Sequence, residues 1–482
     1  MQFDLEEMNK GLYIGGVWRA AEDGSVFDVL DPATEETIAR VSDATVGDAI
    51  AAVDAAYGAA KGWASTPPRE RSEMLRRAFE LMVEEKDALA WLITLESGKA
   101  LSEARGEVLY AAEFLRWFSE EAVRVIGEIS VAPSGNNRIV VQRQPIGISV
   151  FVTPWNFPAA MATRKIAPAL AAGCTTVLKP AKETPLTALA MAAIFERAGV
   201  PPGVVNTIPT RRSSSVVAAM LKDARVRKFS FTGSTETGRR LLAQAAENVV
   251  KCSMELGGNA PFIVFADADL DAAVSAAMIA KLRNGGESCT AANRFYVESP
   301  VAREFADRLA AAMAGVKIGH GLDDGVQLGP MVNAGTRDKV ASLVKVAIAE
   351  GATLIAGGKV PDGPGYFYEP TVLADVAADA TILREEIFGP VAPIATFEGE
   401  EQAVALANAT EFGLVSFIHT RDLAKALRVA DRIESGMVGI NRGVVSDPAA
   451  PFGGWKQSGV GREGAHDGLL EYLESKYISV SW

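Results

Sequence analysis

Cys289 lies in Arg283-Asn284-Gly285-Gly286-Glu287-Ser288-Cys289-Thr290, a glycine-containing stretch just past an apolar helical run. A thiol placed there can attack an electrophilic carbon. The thiolate is the attacking form, and the glycines let the backbone approach a ligand closely. The Cys289 N–H could donate to the oxyanion that forms. A lone cysteine in a loop is equally well explained as packing. Glu255, in Glu255-Leu256-Gly257-Gly258-Asn259, is a carboxylate at a strand end followed by a glycine pair. It could reach into a cleft as a general base, although solvated loop acids are far commoner. Asn156, in Pro154-Trp155-Asn156-Phe157-Pro158, stands where the chain leaves a strand. Its amide could donate to an oxyanion, or it could simply belong to the start of a helix.

Two glycine motifs call for phosphate chemistry. Gly233-Ser234-Thr235-Glu236-Thr237-Gly238 has the outer spacing of a phosphate loop, but Arg239-Arg240 follow where Lys and a hydroxyl are required. What remains is a turn from a strand into a helix, whose N–H groups can face a phosphate or merely pack tightly. Gly459-Val460-Gly461-Arg462-Glu463-Gly464 matches GxGxxG but follows no predicted strand, so it is not read as a dinucleotide loop.

The elements that must hold these residues alternate. Ile148 to Val152, Thr175 to Leu178, Val204 to Ile208 and Arg227 to Phe231 read as strands, with helices over 186–197 and 236–247. Such alternation predicts a parallel sheet with helices on both faces. A second α/β series begins near Met254, with strands at 261–265, 295–297, 353–355 and 414–419 and a helix over 270–282 capped by Asp269. Two pieces fit neither series: a hairpin over 128–142 and an alternating stretch from Tyr472 to Trp482. They predict subunit contact by strand pairing, or else two edge strands of one domain.

Composition narrows the class. A chain of 482 residues is too long for one core. Lys+Arg 48 against Asp+Glu 60 gives a net charge of −12, which argues against nucleic acid as the partner. A small anion is still allowed, since it needs only one or two arginines. The 3 cysteines (Cys174, Cys252, Cys289) make no disulfide scaffold and point to a reducing compartment. Cys174 and Cys252 sit in apolar strand contexts and read as inert. The start, MQFDLEEMNKG, has no signal-peptide pattern, and the longest uncharged stretch, 144–163, carries Pro145, Pro154 and Pro158. A soluble, cytoplasmic protein that binds neither membrane nor metal is expected; the scattered histidines and cysteines have no zinc spacing.

Taken together, Pro154-Trp155-Asn156-Phe157-Pro158, Lys179-Pro180, Phe231-Thr232-Gly233-Ser234, Glu255-Leu256-Gly257-Gly258, Gly286-x-x-Cys289, Glu386-Ile387-Phe388-Gly389-Pro390 and Pro451-Phe452-Gly453-Gly454 resemble the aldehyde dehydrogenase superfamily, in its order and over essentially the whole chain. The resemblance implies an α/β fold of two Rossmann-like domains plus a small β oligomerisation element. It implies a cofactor domain over 1–123 and 144–253, a catalytic domain over 254–445, and an oligomerisation hairpin and C-terminal strand over 124–143 and 446–482, in a homodimer or homotetramer. It implies Cys289 as nucleophile, Asn156 and the Cys289 N–H as oxyanion donors, and Glu255 as the base that hydrolyses a thioester left after hydride transfer to a nicotinamide. It implies a cofactor site of Thr153, Pro154, Trp155, Lys179, Lys182, Gly233, Ser234, Leu256, Glu386 and Phe388, with Glu386 on the nicotinamide ribose and Lys179 on the adenosine ribose.

Within that superfamily the chain looks most like bacterial succinate-semialdehyde dehydrogenases. Arg164, Arg283 and Ser446 resemble that subfamily's carboxylate clamp, and Arg suits the task because its planar fork matches a carboxylate. Glutarate semialdehyde or a sulfonated aldehyde would also suit it, since one methylene is worth only about 1–3 kcal/mol. Lys182 stands where NAD-preferring relatives carry an acid, and Arg211-Arg212 add positive charge nearby, so NADP is expected ahead of NAD. Glu287 stands where glutamine is commoner; an anion there would disfavour the thiolate. Ala291 removes the second cysteine that some relatives carry. A silent scaffold and a nucleotide-free thiol hydrolase are the competing readings; the intact Cys289, Glu255 and Asn156 oppose the first, and Lys179, Ser234 and Glu386 oppose the second.

Overall fold

The computed structural model describes residues 4–481; Met1–Phe3 and Trp482, at the ends of the first and last segments assigned above, lie outside the described residues. Two large sheets organise the chain. The first has eight strands, in the order Val17–Arg19, Leu12–Ile14, Val205–Thr207, Thr176–Lys179, Ile148–Val152, Val226–Thr232, Lys251–Glu255, Gly459–Val460. The five central strands are parallel. Side-chain alternation explains why both faces are covered. Phe151 and Leu178 enter one core, while Val150, Val152 and Val177 enter another on the opposite face.

The second sheet has seven strands, in the order Thr353–Ala356, Thr371–Ala374, Val391–Phe397, Ala292–Glu298, Ala260–Val264, Val415–His419, Met437–Ile440. The same alternation divides it: Ile263, Tyr296 and Ile418 face one core, and Phe262, Val264, Phe295 and Phe417 the other.

In the first sheet the strand order reverses between Ile148–Val152 and Val226–Thr232. Open α/β sheets bind ligands beyond the carboxyl ends of their strands at such a reversal. Thr153 to Asn156 leaves one of these two strands there, and Gly233-Ser234 leaves the other. The second sheet faces the same region with amino ends. Gly258 precedes Ala260–Val264, Cys289 precedes Ala292–Glu298, and Phe388 precedes Val391–Phe397.

The hairpin strands Glu128–Val131 and Arg138–Pro145 join Leu473–Val480 in a separate antiparallel sheet within the one chain. The stretch between the second large sheet and this C-terminal strand does not follow it. Gly459–Val460 pairs instead with Met254 and Glu255, so 446–464 returns to the cleft rather than joining the hairpin. The rejected glycine motif is therefore an edge strand of the first sheet. No described helix is long and apolar enough to cross a membrane.

Candidate active site

The helix Pro158–Ala172 starts with proline at its first position and is buried along its whole length. Its N-terminal amides are capped from outside: Glu107 Oε1 accepts from Ala159 N (2.9 Å) and Ala160 N (3.3 Å). The other Glu107 oxygen takes Lys99 Nζ at 2.5 Å, and Lys99 also donates to the Asn156 carbonyl at 2.6 Å. Removing either partner of this buried pair would leave an uncompensated charge, at about 3–5 kcal/mol. Asn156 is thus held by its backbone, and its side chain has no capping task. Asn156 Nδ2 donates to the Glu287 carbonyl at 2.9 Å, which leaves its second N–H free.

Cys289 is half-buried at the foot of a cavity of about 380 Å³. Asn284, in a left-handed conformation (φ 53°), stitches its loop by donating to the carbonyls of Asn156 (2.9 Å) and Glu287 (3.0 Å). Gly258 lets this loop close: a Cβ there would stand 2.1 Å from the Cys289 carbonyl oxygen. The Gly258 N–H also donates to Glu386 Oε1 at 2.9 Å. Burial pushes the Cys289 thiol up to about 12, opposed by Arg164 and Arg283, so the resting form is the thiol. Glu287 is not the anion expected beside it. Burial pushes its carboxyl up to about 8, and its Oε1 accepts from Val332 N at 3.2 Å.

Glu255 ends the strand Lys251–Glu255, and both its carboxylate oxygens are buried without a hydrogen bond. Burial, reinforced by Glu463, holds its proton affinity well above the usual carboxylate range. Glu463 comes from the returning stretch, and its Oε1 takes Lys165 Nζ at 2.5 Å. Sequence reasoning missed Glu463 and Lys165. A signal existed: Arg164-Lys165 are adjacent cations in an otherwise apolar helix, and buried cations require counter-charges.

The cavity wall brings together Asn156, Arg164, Arg283, Cys289 and Ser446. Arg164 is almost fully buried, with its guanidinium 4.0 Å from the Phe452 ring centre and a hydrogen bond to the Tyr110 hydroxyl. Arg283 lies over the rings of Phe157 (5.0 Å) and Tyr110 (5.7 Å) and makes no ion pair among the described residues, although Glu103 feels its charge. Tyr110, also missed, therefore lies against both guanidinium groups.

Pro154, Trp155, Gly233, Ser234, Leu256, Glu386 and Phe388 line the same cavity. Trp155 and Phe388 meet edge to face at 5.5 Å. The Ser234 hydroxyl caps its own helix through Thr237 N at 3.4 Å, so what it offers a ligand is backbone. Thr153, Lys179 and Lys182 are outside the cavity wall. Thr153 N donates to the Lys179 carbonyl at 3.3 Å. Burial pulls the Lys179 ammonium down to about 8. Lys182 is 57% exposed, with Nζ 3.9 Å from Glu183. Arg211 and Arg212 pair with Asp43 (3.4 Å) and Asp23 (2.8 Å), so each brings an acidic partner with it. Cys174 and Cys252 bond carbonyl oxygens of Tyr472 and Val250. Among the described residues no group of three or more His, Cys, Asp or Glu side chains could hold a metal ion.

A model of the aldehyde dehydrogenase family matches residues 18–478. The chain is 55% identical to a succinate-semialdehyde dehydrogenase of Paenarthrobacter nicotinovorans, over 92% of this chain and 99% of that one. It is 48% identical to a glutarate-semialdehyde dehydrogenase of Pseudomonas aeruginosa, over 98% of each. A crystal structure of an NADP-dependent enzyme of E. coli superposes with a TM-score of 0.98 at 46% identity, covering 100% of each chain.

Proposed function

Since this chain belongs to the aldehyde dehydrogenase family, we propose that it oxidises a small aldehyde bearing a second, anionic group, with succinate semialdehyde, oxidised to succinate, as the best fit. The observation that carries this is the pair of guanidinium groups, Arg164 and Arg283, on the wall of the cavity that holds Cys289. Arg283, with no ion-pair partner of its own, is the natural ligand for a substrate carboxylate, and Ser446 adds a hydroxyl beside it. Glutarate semialdehyde is the second reading, favoured by the relative that bears that name.

The residues fit a nicotinamide dinucleotide. Glu386 offers a carboxylate to ribose hydroxyls, and the turn at Gly233-Ser234 offers backbone N–H groups at the point where strand order reverses. Lys179 and Lys182, at and just past a neighbouring strand end, offer cations to the adenosine half. Lys182 favours NADP over NAD. When bound, the nucleotide supplies the hydride acceptor that turns the thiol adduct of an aldehyde into a thioester. Cys289 Sγ forms the adduct. The free Asn156 N–H and the Cys289 N–H hold the oxyanion, at typically about 3–4 kcal/mol per donor. Glu255 takes the proton of the water that hydrolyses the thioester.

The supporting experiment is steady-state kinetics on three- to six-carbon semialdehydes and uncharged aldehydes of matched length, with NADP and NAD, for the wild type and Arg283→Ala. The variant is expected to lose about 2–5 kcal/mol in kcat/KM for succinate semialdehyde and little for butanal. Equal losses on both would remove the clamp, and no reduced nucleotide with any aldehyde would remove the activity. The chain is further proposed to act in the cytoplasm as a homo-oligomer, dimer or tetramer, joined through the three-stranded sheet. The exposed apolar side chains of Ile129 and Val131 on that sheet support this.

A further inference from the structure

Arg164 belongs to two charge systems at once. One side of its guanidinium lines the cavity above Cys289. The other lies within reach of Glu463, with Nε 3.6 Å from Oε2. Glu463 in turn takes Lys165 Nζ at 2.5 Å, and Lys165 also donates to Ser230 Oγ at 2.8 Å. Beside this cluster lies Glu255. Arg164 Nε, Glu463 Oε2 and both Glu255 oxygens are buried and make no hydrogen bond. Such atoms interact chiefly by charge, and in a low-dielectric interior charge acts strongly.

The charged and titratable groups facing Glu255 come from each element around it. Glu463 and Arg462 come from the returning stretch, Lys165 and Arg164 from the helix Pro158–Ala172, and Cys289 from the loop opposite. The adjacent strand Val226–Thr232 presents Ser230, and Lys228, whose charge is matched by Glu471 at 2.8 Å. Of these cations, only Arg164 also lines the cavity.

We propose that Arg164 couples the substrate's carboxylate to the hydrolytic base, so that an anionic acyl group makes Glu255 hold its proton more tightly than an uncharged acyl group of the same length does. The inference rests on Arg164 being a carboxylate ligand. The step affected is thioester hydrolysis. Water's oxygen bonds to the acyl carbon while Glu255 takes a water proton. The C–S bond then breaks, the acid departs with the new oxygen, and Sγ recovers a proton from Glu255. Only ionised Glu255 can start this step. A carboxylate held on Arg164 offsets the positive charge that favours ionised Glu255, and without the Arg164 guanidinium it has no such charge to offset. The acid limb of hydrolysis therefore moves to higher pH for the anionic acyl group.

The test acylates the full-length protein on Cys289 at low pH with 4-nitrophenyl hydrogen succinate or 4-nitrophenyl butyrate, each releasing 4-nitrophenol. Excess ester is removed, the pH is jumped, and thioester loss is followed by intact mass. In the wild type the succinyl limb is expected about one pH unit above the butyryl limb. Coincident limbs overturn the proposal, and this comparison needs no variant. In Arg164→Gln the two limbs should converge, and in Arg164→Lys, which keeps the charge, they should stay apart; a separation that persists in Arg164→Gln also overturns it. The KM of Arg164→Gln for succinate semialdehyde against butanal is read in parallel. A selective rise together with coincident limbs in the wild type retains the ligand role and sinks the coupling, whereas no selective rise sinks the ligand role itself.

Discussion

Cys289 and Glu255 share a condition: burial favours the protonated form of each, so neither group is reactive by default. A cation assigned to the substrate acts on both: Arg164 favours the ionised form of each, and Arg283 that of Cys289. At the cofactor end the position is simpler. With Arg211 and Arg212 tied to Asp43 and Asp23, the preference for a 2′-phosphate falls to Lys182, whose side chain is exposed and only loosely matched by Glu183. Lys182→Glu is therefore expected to move the NADP-to-NAD ratio of kcat/KM toward NAD by about tenfold or more, since it exchanges a charge-assisted contact for a repulsion. Initial rates with each nucleotide at saturating aldehyde measure it. An unchanged ratio would take Lys182 out of the cofactor site.

At the scale of elements, the site depends on how closely loops approach, and Gly258 is where that is tightest. A Cβ there meets the Cys289 carbonyl, and its N–H already holds Glu386. Gly258→Ala should displace the Cys289 loop and Glu386 together and lower kcat/KM by about 10²-fold, the cost of misplacing a catalytic group by roughly 1 Å. Gly58→Ala, at an exposed position of the helix Val46–Ser65 with nothing within 4 Å, is the control, expected to keep activity and gain about 0.5–1 kcal/mol in thermal unfolding. This scale also shows what could be read from sequence. Gly, Pro and β-branched runs mark the strand ends that carry Asn156, Gly233 and Glu255, because each reports local backbone geometry. Tyr110 left no such mark, and the glycines flanking Glu463 mark a turn but not the charge it faces. Their partners are distant in sequence, and only the fold brings Glu463 beside Lys165. The surroundings of Glu287 and Arg211 are not legible for a related reason. Charge sign is visible in a sequence, whereas burial and the counter-ion that cancels it are not.

For the whole molecule, the three-stranded sheet is the part that the other packing leaves uncovered. Its registry puts Ile129, Val140 and Ile478 in one row, and Val131, Arg138 and Val480 in the next row on the same face. Ile129 is 75% and Val131 53% exposed, and Ile126 just ahead is 76% exposed. Glu128–Val131 and Leu473–Val480 are both edge strands of this sheet. An exposed apolar face bounded by free strand edges is a pairing site unless something blunts it. A closed homo-oligomer covers it by placing the same surface of a second copy against it. Sedimentation velocity should therefore find the wild type as a dimer or tetramer. Ile129→Glu puts a charge into the apolar row without touching either large sheet. It is expected to shift the population toward monomer while the hydrogen-bonded core of both sheets persists by circular dichroism. A wild type that sediments as a monomer at micromolar concentration would end this assignment. A variant that keeps the full assembly would move the interface off this face and onto another part of the chain.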